Sequence, residues 1–205
     1  MTRFLLIRHA NTAANGRRLS GRMAGVHLDE EGRRQAQALA ARLASVPIAA
    51  IYASPLERAV ETAEIVAKLR GREVVLREDM LEIDFGEWTG CSFEELSTRD
   101  DFQRFNALRS CASVPGGETM LQAQARMVAG MARLRLEHPH DCIAVVSHGD
   151  MIKSAIAYYA GIPLDLFQRI EISPASASVV DIDQAAVRIV CINDLGGPGA
   201  HWQAS

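Results

Sequence analysis

Apolar and polar positions alternate along this chain in blocks. Phe4-Leu5-Leu6-Ile7 is a short unbroken apolar run that ends on a charge, Arg8, and reads as a buried strand. Ile48 to Ala53, Val74 to Leu76 and Cys142 to Val146 repeat that pattern, and Ser178 to Ile182 and Val187 to Ile192 supply two last strands joined by a short turn. Between them lie helical periods. Asp29-Glu30-Glu31-Gly32 opens a helix through about Leu43, with acidic residues where the helix dipole favours them and a stripe of Ala36, Leu39, Ala40 and Leu43. Ser54-Pro55 is expected to cap a second helix, with proline at its first position. This helix carries Arg58, Thr62, Ile65 and Leu69 and ends at Gly71. Thr119 to Leu136 is a long helix, Met151 to Tyr159 a shorter one, and Pro163 opens another short helix.

Strands alternating with helices imply βαβ units and predict a three-layer α/β/α sandwich on a mainly parallel sheet. The periodicity fades from Glu78 to Gly117, so residues 78–117 are expected to be loops and short helices covering a site within a single domain over 1–195. A loose tail is expected over 196–205, where Gly, Pro and Ala accumulate.

Composition narrows the class. With 205 residues, 48% apolar and 23% charged, the chain is long enough for one sizeable core. A net charge of -3 argues against nucleic acid as a partner. Four cysteines without paired spacing suggest a reducing compartment, with Cys142 and Cys191 as small core residues. No run approaches the ~18 apolar residues of a membrane span, and no leader pattern opens the chain, so a cytoplasmic location is expected. No helix is apolar all round, so the oligomeric state is not readable.

In a parallel sheet, ligands bind beyond the carboxyl ends of the strands. Three words fall there: Arg8-His9, Ser54-Pro55-Leu56-Glu57-Arg58 and Ser147-His148-Gly149. The guanidinium fork of arginine matches two phosphate oxygens, and Arg8 and Arg58 suit that use. A neutral imidazole can attack phosphorus and become phosphorylated; His9 is placed for it. A second imidazole, when cationic, offsets charge in the transition state; His148 fits, and Gly149 after it permits close backbone approach. Thr12 and Asn15 lie in the polar loop from Asn11 to His27 and can complete the pocket. The leaving alkoxide needs a proton. Glu82 and Asp84 are the candidates, on one side of the chain if that stretch is extended.

Together these words resemble the histidine phosphatase superfamily, the phosphoglycerate-mutase-like group. That resemblance spans about Phe4 to Ile182. It rests on Arg8-His9, the Ser54-Pro55…Arg58 helix start, Glu82 followed by Gly86, Trp88 and Gly90, and Ser147-His148-Gly149. It implies a phosphoglycerate-mutase-like fold, His9 as phosphoacceptor, Arg8, Arg58 and His148 around the phosphate, an amide from Asn15, and Glu82 as proton donor. It implies a small phosphorylated substrate and neither metal nor organic cofactor. Two departures stand out: Ala10 replaces the family's glycine, and the loop from Asn15 to Gly21 is offset from the common pattern. Because the Arg-Tyr-Gly-type stretch of the cofactor-dependent mutases is missing, a phosphomonoester hydrolase is favoured over a phosphoglycerate mutase. A phospholigand-binding protein without turnover is a third reading.

Other residues have plainer readings. His27 and His201 read as ordinary surface histidines, and His138 to Cys142 as a loop entering a strand rather than a metal site. Asp150 and Lys153 read as a helix-start carboxylate and a surface charge, Phe85 and Trp88 as packing. Arg17, Arg18 and Arg22 fit either substrate steering or a solvated loop. Pro115-Gly116-Gly117-Glu118 fits a turn before a helix or, by the resemblance, the pocket rim.

Overall fold

The computed structural model describes residues 1–196. Six strands form one sheet: β1 Thr2–Arg8, β2 Ile48–Ala53, β3 Val74–Leu76, β4 Cys142–Ser147, β5 Ala177–Ile182 and β6 Val187–Asp194. Their order is β3-β2-β4-β1-β5-β6. β1 to β4 are mutually parallel, while β5 runs antiparallel to β1 and β6 to β5. The central strands are apolar on both faces because both are covered. Phe4 and Leu6 of β1 join the core shared with α5 (Met120–Glu137) and α6 (Gly149–Ala160). Leu5 and Ile7 join the opposite core, against α1 (Glu30–Arg42) and α2 (Glu57–Lys68). The result is the expected α/β/α sandwich.

Local signals explain the helix starts. Asp29 caps α1 by accepting from the Gly32 N–H at 2.7 Å, and a Thr119–Gln122 capping box opens α5. The expected Ser54-Pro55 cap of α2 is not formed. Its N-cap is Leu56, without a side-chain bond, and the Ser54 hydroxyl faces His148 instead. Leu69 is exposed, and Val66 and Ala63 take the buried face. Cys142 and Cys191 are only partly buried, against the core beneath α1 and α2. The segment from 78 to 117 folds as two single 3₁₀ turns and two short helices, α3 Phe93–Ser97 and α4 Asp100–Ala107. His201 and the tail expected beyond Gly196 lie outside the described residues. No helix among the described residues is long and apolar enough to cross a membrane.

Candidate active site

β1, β2 and β4 end at one level, because Arg8 pairs with Ser147 and Ala53 with Val146 in register. The residues that follow those ends therefore meet. A cavity of about 280 Å³ opens above them, walled by Arg8, His9, Thr12, Asn15, Arg58 and Gly149 at the sheet and by Glu82 from the other side.

His9 is 8% exposed. Its Nδ1 lies 2.8 Å from the Ala10 carbonyl oxygen, so Nδ1–H donates and Nε2 keeps its lone pair. The Arg58 Nε–H points at that Nε2 from 3.3 Å. Burial, then Arg58 and Arg8, push the imidazole well below its ordinary value, so it is neutral near pH 7. Ala10, where the family carries glycine, is fully buried and has no positive φ, so its methyl costs the backbone nothing.

Arg58 is held by the Gly21 carbonyl oxygen at 2.7 Å and by His148 Nδ1 at 3.3 Å, while its buried Nη1 has no partner among the described residues. Arg8 donates to the Ile172 carbonyl at 2.6 Å and to Asn15 Oδ1 at 3.2 Å, and its Nε likewise has no partner among them. A buried guanidinium N–H without an acceptor is costly. Two such donors on one wall form a cradle for an anion. The N-terminus of α6 at Gly149 adds the positive end of a helix.

His148 is fully buried beneath Arg58 and is not on the cavity wall. Its Nε2 lies 2.8 Å from Ser54 Oγ and the rings of His9 and His148 are 5.3 Å apart. Since Arg58 donates to Nδ1, Nε2 carries the hydrogen. Burial, Arg58 and His9 hold this imidazole well below its ordinary value too, so it is not a standing cation.

Glu82 lines the cavity, with Oε2 4.0 Å from His148 Nδ1 and Oε1 accepting from the Ile83 N–H at 3.0 Å. Burial first, then the charge of Asp150, push its carboxyl up to about 7, against the pull of Arg58 and Arg8. Asp84 turns away, accepting from the Gly86 N–H at 2.9 Å and facing Arg22 at 3.8 Å. Gly86 is required here. Its φ is +45°, and a Cβ would sit 2.1 Å from the Pro115 carbonyl oxygen. The Pro115-to-Glu118 turn thus packs behind the segment that carries Glu82 and is not on the cavity wall.

The outer wall was only partly legible. Arg18 lines the cavity, and so do Asp150, which stands in the first turn of α6 as expected, and Lys153, against the surface reading given it. Arg109 also lines it. It is 4% exposed, pairs with Asp150 at 3.1 Å and lies 4.2 Å from the centre of the Phe105 ring. Phe85 packs and also faces the cavity, whereas Trp88 is wholly core. Phe93, Phe102 and Asn106 carried no sequence signal, because α3 and α4 bring them in from the weakly patterned segment. His138 is engaged by the Tyr52 hydroxyl at 2.7 Å and by Asp141 at 2.9 Å, and His27 contacts Glu61.

The model of the histidine phosphatase superfamily (branch 1) matches residues 4–195. Phosphoserine phosphatase 1 of Hydrogenobacter thermophilus is 29% identical over 94% of this chain and 92% of its own length. Bacillus stearothermophilus YhfR superposes with a TM-score of 0.89 at 29% identity, over 95% of this chain and 98% of that one. A mutant phosphoserine phosphatase of Entamoeba histolytica in complex with phosphoserine superposes with a TM-score of 0.85 at 26% identity, over 95% and 98%. The chain belongs to the histidine phosphatase superfamily, branch 1.

Proposed function

We propose that this chain, in hydrolysing phosphomonoesters of small metabolites, passes the phosphoryl group through His9. The Nε2 lone pair attacks phosphorus, the P–O ester bond breaks, and protonated Glu82 gives its proton to the departing oxygen. Water then attacks phosphorus, its proton returns to Glu82, and the P–N bond breaks to release orthophosphate. Arg8, Arg58 and the Gly149 end of α6 hold the equatorial oxygens, with Thr12 and Asn15 beside them. His148 is neutral until a phosphate dianion arrives, and the added negative charge then favours its protonation on Nδ1, with the Arg58 hydrogen bond to that nitrogen released. The reading rests on one observation. A neutral imidazole whose Nε2 carries no hydrogen, a carboxyl held near neutrality and two guanidinium donors without a partner among the described residues share a single cavity.

The segment 78–117 serves as the roof of a single domain: Glu82, Phe85, Phe93, Phe102 and Arg109 all reach the cavity from it. The outer wall carries both signs of charge, Asp150 with Arg18 and Lys153, which suits a leaving group with an ammonium and a carboxylate. A substrate panel therefore starts with phosphoserine and includes phosphoglycerate, scored for orthophosphate release by wild type and His9→Ala. Wild type is expected to release orthophosphate and to give an acid-labile phosphoprotein on rapid quench, and His9→Ala to do neither while retaining its thermal transition. Turnover by His9→Ala would refute the nucleophile. Isomerised phosphoglycerate in place of orthophosphate would mark a mutase, and phosphate binding without turnover a ligand-holding protein.

A further inference from the structure

Among the described residues, the Glu82 carboxyl makes one hydrogen bond, to the N–H of its own neighbour, Ile83. Its direction is therefore set by the backbone that carries it. This backbone is gripped from two sides. Arg126, on α5, donates from Nη1 to the carbonyl oxygens of Leu81 at 2.9 Å, Asp79 at 3.0 Å and Glu78 at 3.3 Å, and from Nη2 to that of Glu82 at 3.4 Å. Arg22, from the loop after β1, donates from Nε to the same Glu82 carbonyl at 2.8 Å. Glu118 ties the two arginines together. It accepts from Arg126 Nε at 3.0 Å and Nη2 at 2.9 Å, and from Arg22 Nη2 at 3.0 Å.

We propose that Arg22, Glu118 and Arg126 act as positioning residues for proton transfer, locking the Glu82 backbone in register with the phosphate cradle. The proposal rests on the reading of Glu82 as the acid. The register comes from adjacent residues in one loop: the Gly21 carbonyl accepts from Arg58, which holds the phosphate end, and Arg22 next to it holds the acid end. One loop thereby fixes the distance between the two halves of the reaction. Bidentate guanidinium contacts set such a distance within tenths of an ångström, and proton transfer to a leaving oxygen is sensitive at that scale.

A general folding role would slow all substrates alike, whereas a role in proton transfer depends on the leaving group. Para-nitrophenyl phosphate and benzyl phosphate are similar in size, but nitrophenolate leaves unaided and benzyl alkoxide needs the proton. The measurement is kcat/KM, which reports phosphoryl transfer to His9, for both substrates with wild type, Arg126→Met, Glu118→Gln and Glu82→Gln. Arg126→Met is expected to lower kcat/KM for benzyl phosphate about tenfold or more beyond its effect on the nitrophenyl ester. Inhibition by orthophosphate should stay near wild type. Glu118→Gln, which keeps the shape and removes the shared charge, should move the same ratio less far, and it carries the test if Arg126→Met does not fold. Equal losses on both esters, or weakened orthophosphate inhibition alone, would overturn the proposal. Glu82→Gln separates the two claims. If it too fails to discriminate between the esters, Glu82 is not the acid and both readings fall; if it discriminates and the clamp variants do not, the positioning claim alone fails.

Discussion

Burying the Glu82 carboxyl has a thermodynamic consequence that Glu82→Gln measures. Its proton is held up to about pH 7 in the folded chain against an ordinary value of 4.5. Between those values the native state binds a proton that the unfolded chain has released, so stability falls as pH rises. Each pH unit of that window is worth about 1.4 kcal/mol, giving about 3 kcal/mol in all. Below the window both states are protonated and the cost is absent; above it the cost is complete. Glutamine keeps the size of the protonated acid and never ionises. Urea unfolding in phosphate-free buffer should therefore find the two proteins closest near about pH 4, with the variant gaining on wild type by about 3 kcal/mol by about pH 8. The same variant is expected to lose activity on benzyl phosphate, which would make the group that destabilises the fold the one the proposed reaction needs. A stability difference independent of pH would refute the argument, since it would mean that the site leaves the carboxyl as acidic as it is in water.

Two further outcomes follow from neighbouring contacts. Asp150 is the charge that helps hold the proton on Glu82, so Asp150→Asn should move the basic limb of the kcat/KM profile for benzyl phosphate to lower pH; an unmoved or upward-shifted limb contradicts the coupling. Gly86→Ala places a methyl on a φ of +45° against the Pro115 carbonyl and should cost about 2–4 kcal/mol in thermal or urea unfolding, together with activity on both esters. A stable, active Gly86→Ala would show that the turn behind Glu82 is free to shift.

How far the sequence could be read depends on how local each cause is. His9, Arg8 and His148 were legible because a strand end is a local event. An apolar run stops, the next residues stand at the sheet edge, and the parallel register brings such edges to one level. Glu82 was set apart from Asp84 only by the family resemblance, through its spacing to Gly86, Trp88 and Gly90, and at Gly86 that spacing reflects a close contact between two backbones. Ser54 was misassigned, since a serine before a helix start serves a cap or a distant imidazole equally well until the partner is known. The antiparallel β5 has no mark of direction in its composition, and only the short turn from β5 to β6 hints at it. Arg109, Arg22 and Arg126 lay beyond reach for a different reason. Arg109 meets Asp150 across 41 positions, and Arg126 reaches the Glu82 carbonyl across 44. Main-chain carbonyls carry no residue type, so no motif of spacing records the grip of Arg22 and Arg126 on the Glu82 backbone, and the acceptor they share, Glu118, stands 96 positions from Arg22. The proposed reacting groups of this site are thus written in short words, and the groups proposed to aim them become visible only once the chain has folded.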